Sequence, residues 1–168
     1  VTERNLGWIA NYIWGIADDV LRDLYVRGKY RDVILPMTVL RRIDSVLEGS
    51  KQAVLDTKNS LDKAGVVEQD PALRHAAGQA FYNTSKFTMR DLKARANRQQ
   101  LKADFEAYLD GFSPNVQDIL DNFEFRNQIP RLSKADALGT LIEKLTSPQI
   151  NLSPDPVTNN DGSIKHAG

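Results

Sequence analysis

The chain of 168 residues contains no cysteine. That excludes a disulfide framework, a thiolate nucleophile and a cysteine-based metal site. Its two histidines, His75 and His166, are too few and too far apart in sequence to suggest a metal centre. His75 falls in a short amphipathic segment, where a solvated side chain is expected. No apolar run reaches the roughly 20 residues of a membrane-spanning helix. The N-terminus lacks the basic, apolar, small-residue order of a secretory signal. There is no glycine-rich phosphate loop. Formal net charge is zero, so any nucleic-acid contact must come from local charge segregation. Asp18 and Asp19 are adjacent carboxylates. Neighbours on a helix point about 100° apart, so the pair does not converge on one substrate atom.

What the chain has is helical periodicity. Leu6, Ile9, Ile13, Ile16, Ala17, Val20 and Leu24 recur at steps of three or four, one stripe of a helix. Asn5 is placed to cap it and Gly28 to stop it. Val33, Met37, Leu40, Ile43 and Leu47 form a second stripe, with Asp32 as its cap and Pro36 near its first turn. Two such stripes are expected to pack on each other and nucleate the core. The polar middle at Glu48, Ser50, Lys51 and Gln52 is either a long helix leaving the core or a break near Gly49.

The same stretch carries a resemblance. Trp14, Ala17, Asp18, Leu21 and Arg22 are followed by Tyr30, Val33, Ile34, Leu35 and Pro36, then by Leu40, Arg41, Arg42 and Asp44. Together they resemble the N-terminal helical domain of modification subunits from type I restriction–modification systems. Val39 stands where that family often has Phe, and Arg41 where it often has Lys. The specific part of the likeness covers residues 6–48. The resemblance implies a piece of a larger, cytoplasmic, prokaryotic DNA methyltransferase. That enzyme would transfer a methyl group from S-adenosylmethionine to adenine N6. Its partners would be a specificity subunit, a second modification subunit, a restriction subunit and double-stranded DNA, with no membrane. The N-terminal domain would close the assembly around DNA and sense its methylation. The Asn-Pro-Pro-aromatic segment and the Gly-rich turn of such enzymes are absent from this chain. No cofactor is therefore expected here, and the chain should be inactive alone.

Further helix starts follow at Asp70-Pro71, Thr88 with Asp91, and Ser113-Pro114. The helix from Asp70 should end near Gly78 or Asn83. Leu101, Phe105, Tyr108 and Leu109 make another stripe, closed by Gly111. Val116, Ile119, Leu120 and Phe123 make the next. Pro130 should interrupt the following segment, and Ser133 with Asp136 should open the last helix through Leu138, Leu141, Ile142 and Leu145. The expectation is an all-α, compact multi-helix domain over residues 1–148, built on the N-terminal helix pair. Residues 149–168, rich in Pro, Asn, Asp and Ser, read as an irregular linker.

Two further features bear on function. Lys86, Arg90, Lys93, Arg95, Arg98 and Lys102 face one acid, Asp91, whereas residues 103–125 hold six acids and no base. Either the two stretches pair their charges, or the basic one meets phosphates while the acidic one meets a basic partner. Trp8 and Trp14 fall on different faces of the first helix, one expected in the core and the other at its edge or exposed. Arg41 and Arg42 are expected to pair with Asp18 and Asp44 rather than bind phosphate. The alternative to the whole reading is a free-standing helical interaction module with no nucleic-acid role.

Overall fold

The computed structural model describes residues 3–94 and 97–147, with side chains from Gly7 onward. The expected linker 149–168, His166 and Arg95 lie outside the described residues. Among the described residues there are nine α-helices and no strand. They are α1 (Glu3–Leu21), α2 (Arg31–Leu47), α3 (Lys51–Lys63), α4 (Asp70–Ala77), α5 (Met89–Lys93), α6 (Arg98–Asp110), α7 (Pro114–Asn122), α8 (Ile129–Lys134) and α9 (Ala137–Leu145). The all-α expectation holds.

The two N-terminal stripes pack as their spacing requires. Ile16, Ala17 and Leu21 of α1 and Val33, Met37 and Leu40 of α2 enter one core. α1 also meets α9, which touches α5, α6 and α8 as well. Leu138, Leu141, Ile142 and Leu145 of α9 are all buried. The core is one cluster to which α1, α2 and α9 all contribute.

Several local expectations need correction. α1 already includes Asn5, so that residue is not its cap, and the helix stops at Leu21, before Gly28. Tertiary contact accounts for the early stop. The Tyr25 hydroxyl donates to Gln128 Oε1 at 2.8 Å, and the Arg131 guanidinium lies 5.0 Å from the Tyr25 ring centre. Both contacts draw the chain away from the helix axis. Asp32 sits in the first turn of α2 without capping it, since Tyr30 occupies the N-cap position. Pro36 is buried inside α2. Of the two readings after Leu47, the break is realised. A 3-10 turn at Glu48–Ser50 separates α2 from α3, and α3 then packs along α4.

Other signals read correctly. α4 ends at Gly78, whose φ of 68° is the left-handed cap that glycine adopts without strain. Thr88 and Asp91 form a reciprocal capping box, with 3.2 Å from the Asp91 amide to Thr88 Oγ1 and 2.8 Å from the Thr88 amide to Asp91 Oδ2. Pro130 does not interrupt a helix but opens α8. α8 then absorbs Ser133, so the Ser133–Asp136 cap does not form. Asp136 instead turns the chain into α9 at a φ of 59°.

Candidate nucleic-acid interface

The basic stretch is divided between three local settings. Lys86 precedes α5, with its ammonium 5.2 Å from the Phe87 ring centre. Arg90 and Lys93 lie three positions apart on α5 and are exposed, while Met89 and Leu92 on the other face are buried. Arg98 and Lys102 lie one turn apart on α6, after the cap made by Asn97. Lys86 shares no helix with Arg90, because α5 begins at Met89.

Each described cation but Lys93 has a described contact. Arg90 Nη1 donates to Glu48 Oε1 at 2.9 Å. Arg98 grips Asp136 with two nitrogens, at 2.9 and 3.3 Å, and donates a third bond to the Lys134 carbonyl at 2.9 Å. That fork fastens the start of α6 to the α8–α9 corner. Lys102 lies 3.8 Å from Glu106. Among the described residues, Lys102–Glu106 is the ion pair that joins the basic stretch to the acidic one. Arg90 and Arg98 take their acids from elsewhere. A cleft of about 260 Å³ opens beside the stretch, lined by Lys93, Asn97, Arg98, Asp136, Thr140 and Glu143 among others.

The acidic stretch is dispersed as well. Asp104 is buried and accepts a bond from Gln100 at 2.8 Å. Asp110 pairs with Arg126 at 3.0 Å, and Asp118, Asp121 and Glu124 are exposed.

Beneath α5 lies a buried polar hub that the sequence indicated only in part. Asp44 accepts from Arg41 Nη1 at 3.0 Å, from the Met89 amide at 3.0 Å and from the Tyr108 hydroxyl at 2.9 Å. Arg41 Nε donates to the Leu145 carbonyl at the end of α9, at 3.2 Å. A cation at a helix C-terminus and an anion at a helix start both complement the peptide dipoles. Burial pushes the Asp44 carboxyl above its ordinary range, opposed by its three donors and by Lys51. Burial, followed by the Asp44 charge, also holds the Tyr108 hydroxyl well above its ordinary range. Lys51 bonds the Asn83 side chain at 2.9 Å and its carbonyl at 3.3 Å. Burial lowers the Lys51 ammonium to about 8, with Asp44 and Asp91 acting against the shift.

The pairing of Arg41 with Asp44 was expected. Asp18 instead pairs with Arg22 at 3.3 Å, on the surface of α1. Tyr108, Lys51 and Asn83 were missed as polar anchors. Lys51 sits in the polar segment that marks the α2–α3 break, and its charge there was the available signal.

The residues of the resemblance divide cleanly. Ala17, Leu21, Tyr30, Pro36, Leu40 and Arg41 are buried. Arg42 is half-buried and Arg22 exposed, whereas Leu35 is 40% and Trp14 46% exposed. Trp8 is 40% exposed and stacks on Tyr12 with ring centres 5.4 Å apart. Neither tryptophan is a core residue. The stripe of Ile9, Ile13 and Ile16 takes the inward face, and both indoles flank the outward one.

No group of three or more potential metal ligands occurs among the described residues, and no described helix is long and apolar enough to cross a membrane. The two glycines at positive φ, Gly65 and Gly78, close α3 and α4 and do not follow a strand.

Comparison with curated proteins and with solved structures found no match. A family model described as the HsdM N-terminal domain matches residues 9–145. That span covers the interval from Ile9 on α1 to Leu145 at the end of α9, including both the helix pair and the buried hub. The chain therefore belongs to the HsdM N-terminal domain family, the N-terminal domain of type I restriction–modification modification subunits.

Proposed function

We propose that this domain contributes assembly and DNA clamping to a type I adenine-N6 methyltransferase, and that the basic edge of α5 and α6 meets the DNA backbone. The full protein would use S-adenosylmethionine in the cytoplasm. It would assemble with a specificity subunit, a second modification subunit and a restriction subunit. The observation that carries the reading is the state of the cations. Arg90 and Arg98 are about half exposed, and their counter-ions Glu48 and Asp136 are exposed acids outside the acidic stretch. A single surface pair such as Arg90–Glu48 contributes little to stability, about 0–1 kcal/mol, so a phosphate can replace that acid at small cost. Lys93 lines the cleft beside Arg98. Arginine and lysine can meet either phosphates or guanine edges, and Asn97, Gln99 and Gln100 are the amides at hand for base readout; the reading assigns the cations to phosphates, so binding through them would be sequence-independent.

The test is salt dependence in the full enzyme. Each phosphate contact removed lowers the slope of log K against log salt by roughly 0.9. Neutralising Arg90, Lys93, Arg95 and Arg98 together should weaken binding to every DNA sequence and leave target preference unchanged. Equal slopes for parent and variant would remove these residues from the interface.

A further inference from the structure

The outward face of α1 is exposed along residues 7–15. At about 100° per residue, Gly7, Trp8, Trp14 and Gly15 fall within about 60° of Asn11, and Ala10 flanks that arc. All six are exposed. A side-chain carbon added at Gly7 or at Gly15 would meet nothing within 4 Å. A glycine inside a helix costs about 0.5–1 kcal/mol relative to alanine, and no close contact among the described residues requires it at either position. No residue from Asn5 to Ala17 is charged.

The order of residues 7–15 is Gly-Trp-Ile-Ala-Asn-Tyr-Ile-Trp-Gly. It reads nearly the same in both directions about Asn11. Gly7 mirrors Gly15, Trp8 mirrors Trp14, and Ile9 mirrors Ile13. A reversed sequence is what a second copy presents across a two-fold axis with antiparallel helices. Trp8 lies about 60° to one side of Asn11 and Gly15 about 40° to that same side. Trp14 and Gly7 lie correspondingly on the other side. With the axis at Asn11, Trp8 comes level with Gly15 of the second copy, on the same side. Trp14 comes level with Gly7 of the second copy. Each indole thus meets a position without a side chain, and the two Asn11 amides meet at the axis.

We propose that α1 is a self-association surface, on which residues 7–15 pair antiparallel with the same residues of a second copy. The glycines are notches for the partner's indoles, and Asn11 sets the register, as a polar residue in a helix seam can. The four indoles bring on the order of 400 Å² into the contact, given their exposure and the 150–250 Å² of a whole aromatic side chain. Stable interfaces bury about 1,200–2,000 Å². The pair is therefore weak for the isolated chain, with a dissociation constant on the order of 0.1–1 mM, and gains weight where two copies are already tethered. The inference is independent of DNA binding, because it uses no basic residue of α5 or α6.

Sedimentation equilibrium of the 168-residue chain up to about 1 mM tests the proposal. Parent protein should show a monomer–dimer equilibrium with a blue shift of tryptophan fluorescence. Gly15→Leu should weaken the dimer at least tenfold while raising the melting temperature of the monomer, since it removes an exposed helical glycine. That combination separates a filled notch from misfolding. The parent has no cysteine, so Asn11→Cys provides a second reading. It should form a disulfide-linked dimer under mild oxidation, whereas Val67→Cys, exposed but remote in sequence, should not. A parent monomeric throughout, with no Asn11→Cys cross-link, would overturn the proposal. So would a dimer that survives both Gly15→Leu and Trp14→Ala.

Discussion

Replacing Asp44 by alanine is the sharpest test of what holds α2, α5, α6 and α9 in place. Three donors converge on this carboxylate: the Arg41 guanidinium, the Met89 amide and the Tyr108 hydroxyl. Asp44 and Arg41 are 7% and 5% exposed, so water does not replace the lost acceptor. Breaking one side of a buried ion pair costs about 3–5 kcal/mol, because the remaining charge is left uncompensated. With a urea dependence of about 2 kcal/mol per molar, the unfolding midpoint should fall by roughly 1.5–2.5 M. Burial pushes the Asp44 carboxyl above its ordinary range, so holding its charge has a cost of its own. The paired substitution Arg41→Met with Asp44→Leu removes both charges and should recover most of the loss. Urea denaturation of the parent, single and double variants measures all three. A midpoint shift below about 0.5 M for Asp44→Ala would refute the hub as a stabilising element.

Leu40→Ala, at a side chain 1% exposed in the main core, should destabilise by about 2–5 kcal/mol in the same assay. Gly111→Ala should cost about 1–3 kcal/mol. Its new carbon would lie 2.5 Å from the Ser85 amide nitrogen and 2.9 Å from Asn83 Oδ1, where residues 82–85 pair with 111–113. Lys51 gives a pH dependence. Its ammonium is lowered from 10.5 to about 8 in the fold, so between those values the unfolded chain holds more protons. Stability from this group should therefore rise as pH goes from 8 towards 10. After discounting for the part of the side chain left in water, the gain is about 1 kcal/mol. Melting curves across that range should show the rise in the parent and lose it in Lys51→Met.

Periodicity made the fold class legible, since each stripe from Ile9 to Leu145 could be buried by a helix alone. The caps at Thr88 and Gly78 were legible because their chemistry is local. α1 was read too long because its end depends on Tyr25 reaching residues 128 and 131, more than 100 positions away in sequence. Ser133 was misread for a related reason. Its cap pattern was correct locally, but Pro130 starts a helix that consumes it. The exposure of both tryptophans was illegible from propensity, because a large apolar side chain is usually buried and the helix face alone decides the exception. Of the candidate interface, the positions and the charge were legible. The counter-ions were not, since Glu48 and Asp136 lie 42 and 38 residues from the arginines they hold.

The hub and the basic edge are one mechanical unit, and α5 shows why. At five residues, α5 is too short to persist without tertiary support. Its own capping box orders the first turn, and Met89 and Leu92 anchor it to the core. The remaining constraint is Asp44, which holds the Met89 amide from below while Arg41 ties the same carboxylate to the end of α9. Arg90 and Lys93 project from the opposite side of this one and a half turns of helix. On the proposed function, a phosphate that took Arg90 from Glu48 would act on a helix whose base is fixed to α2, α6 and α9 at once. Loosening Asp44 should consequently blunt DNA affinity even though the residue is buried and cannot touch DNA. Asp44→Asn can keep Oδ1 as acceptor for the Met89 amide and the Tyr108 hydroxyl while removing the charge that faces Arg41, so it tests this with less damage to the fold than alanine. In the full enzyme, at a temperature where the variant remains folded, affinity should fall while the salt slope stays that of the parent, because no phosphate contact has been deleted. A reduced slope would instead mean that the cations themselves had left the DNA, and the mechanical account would fail.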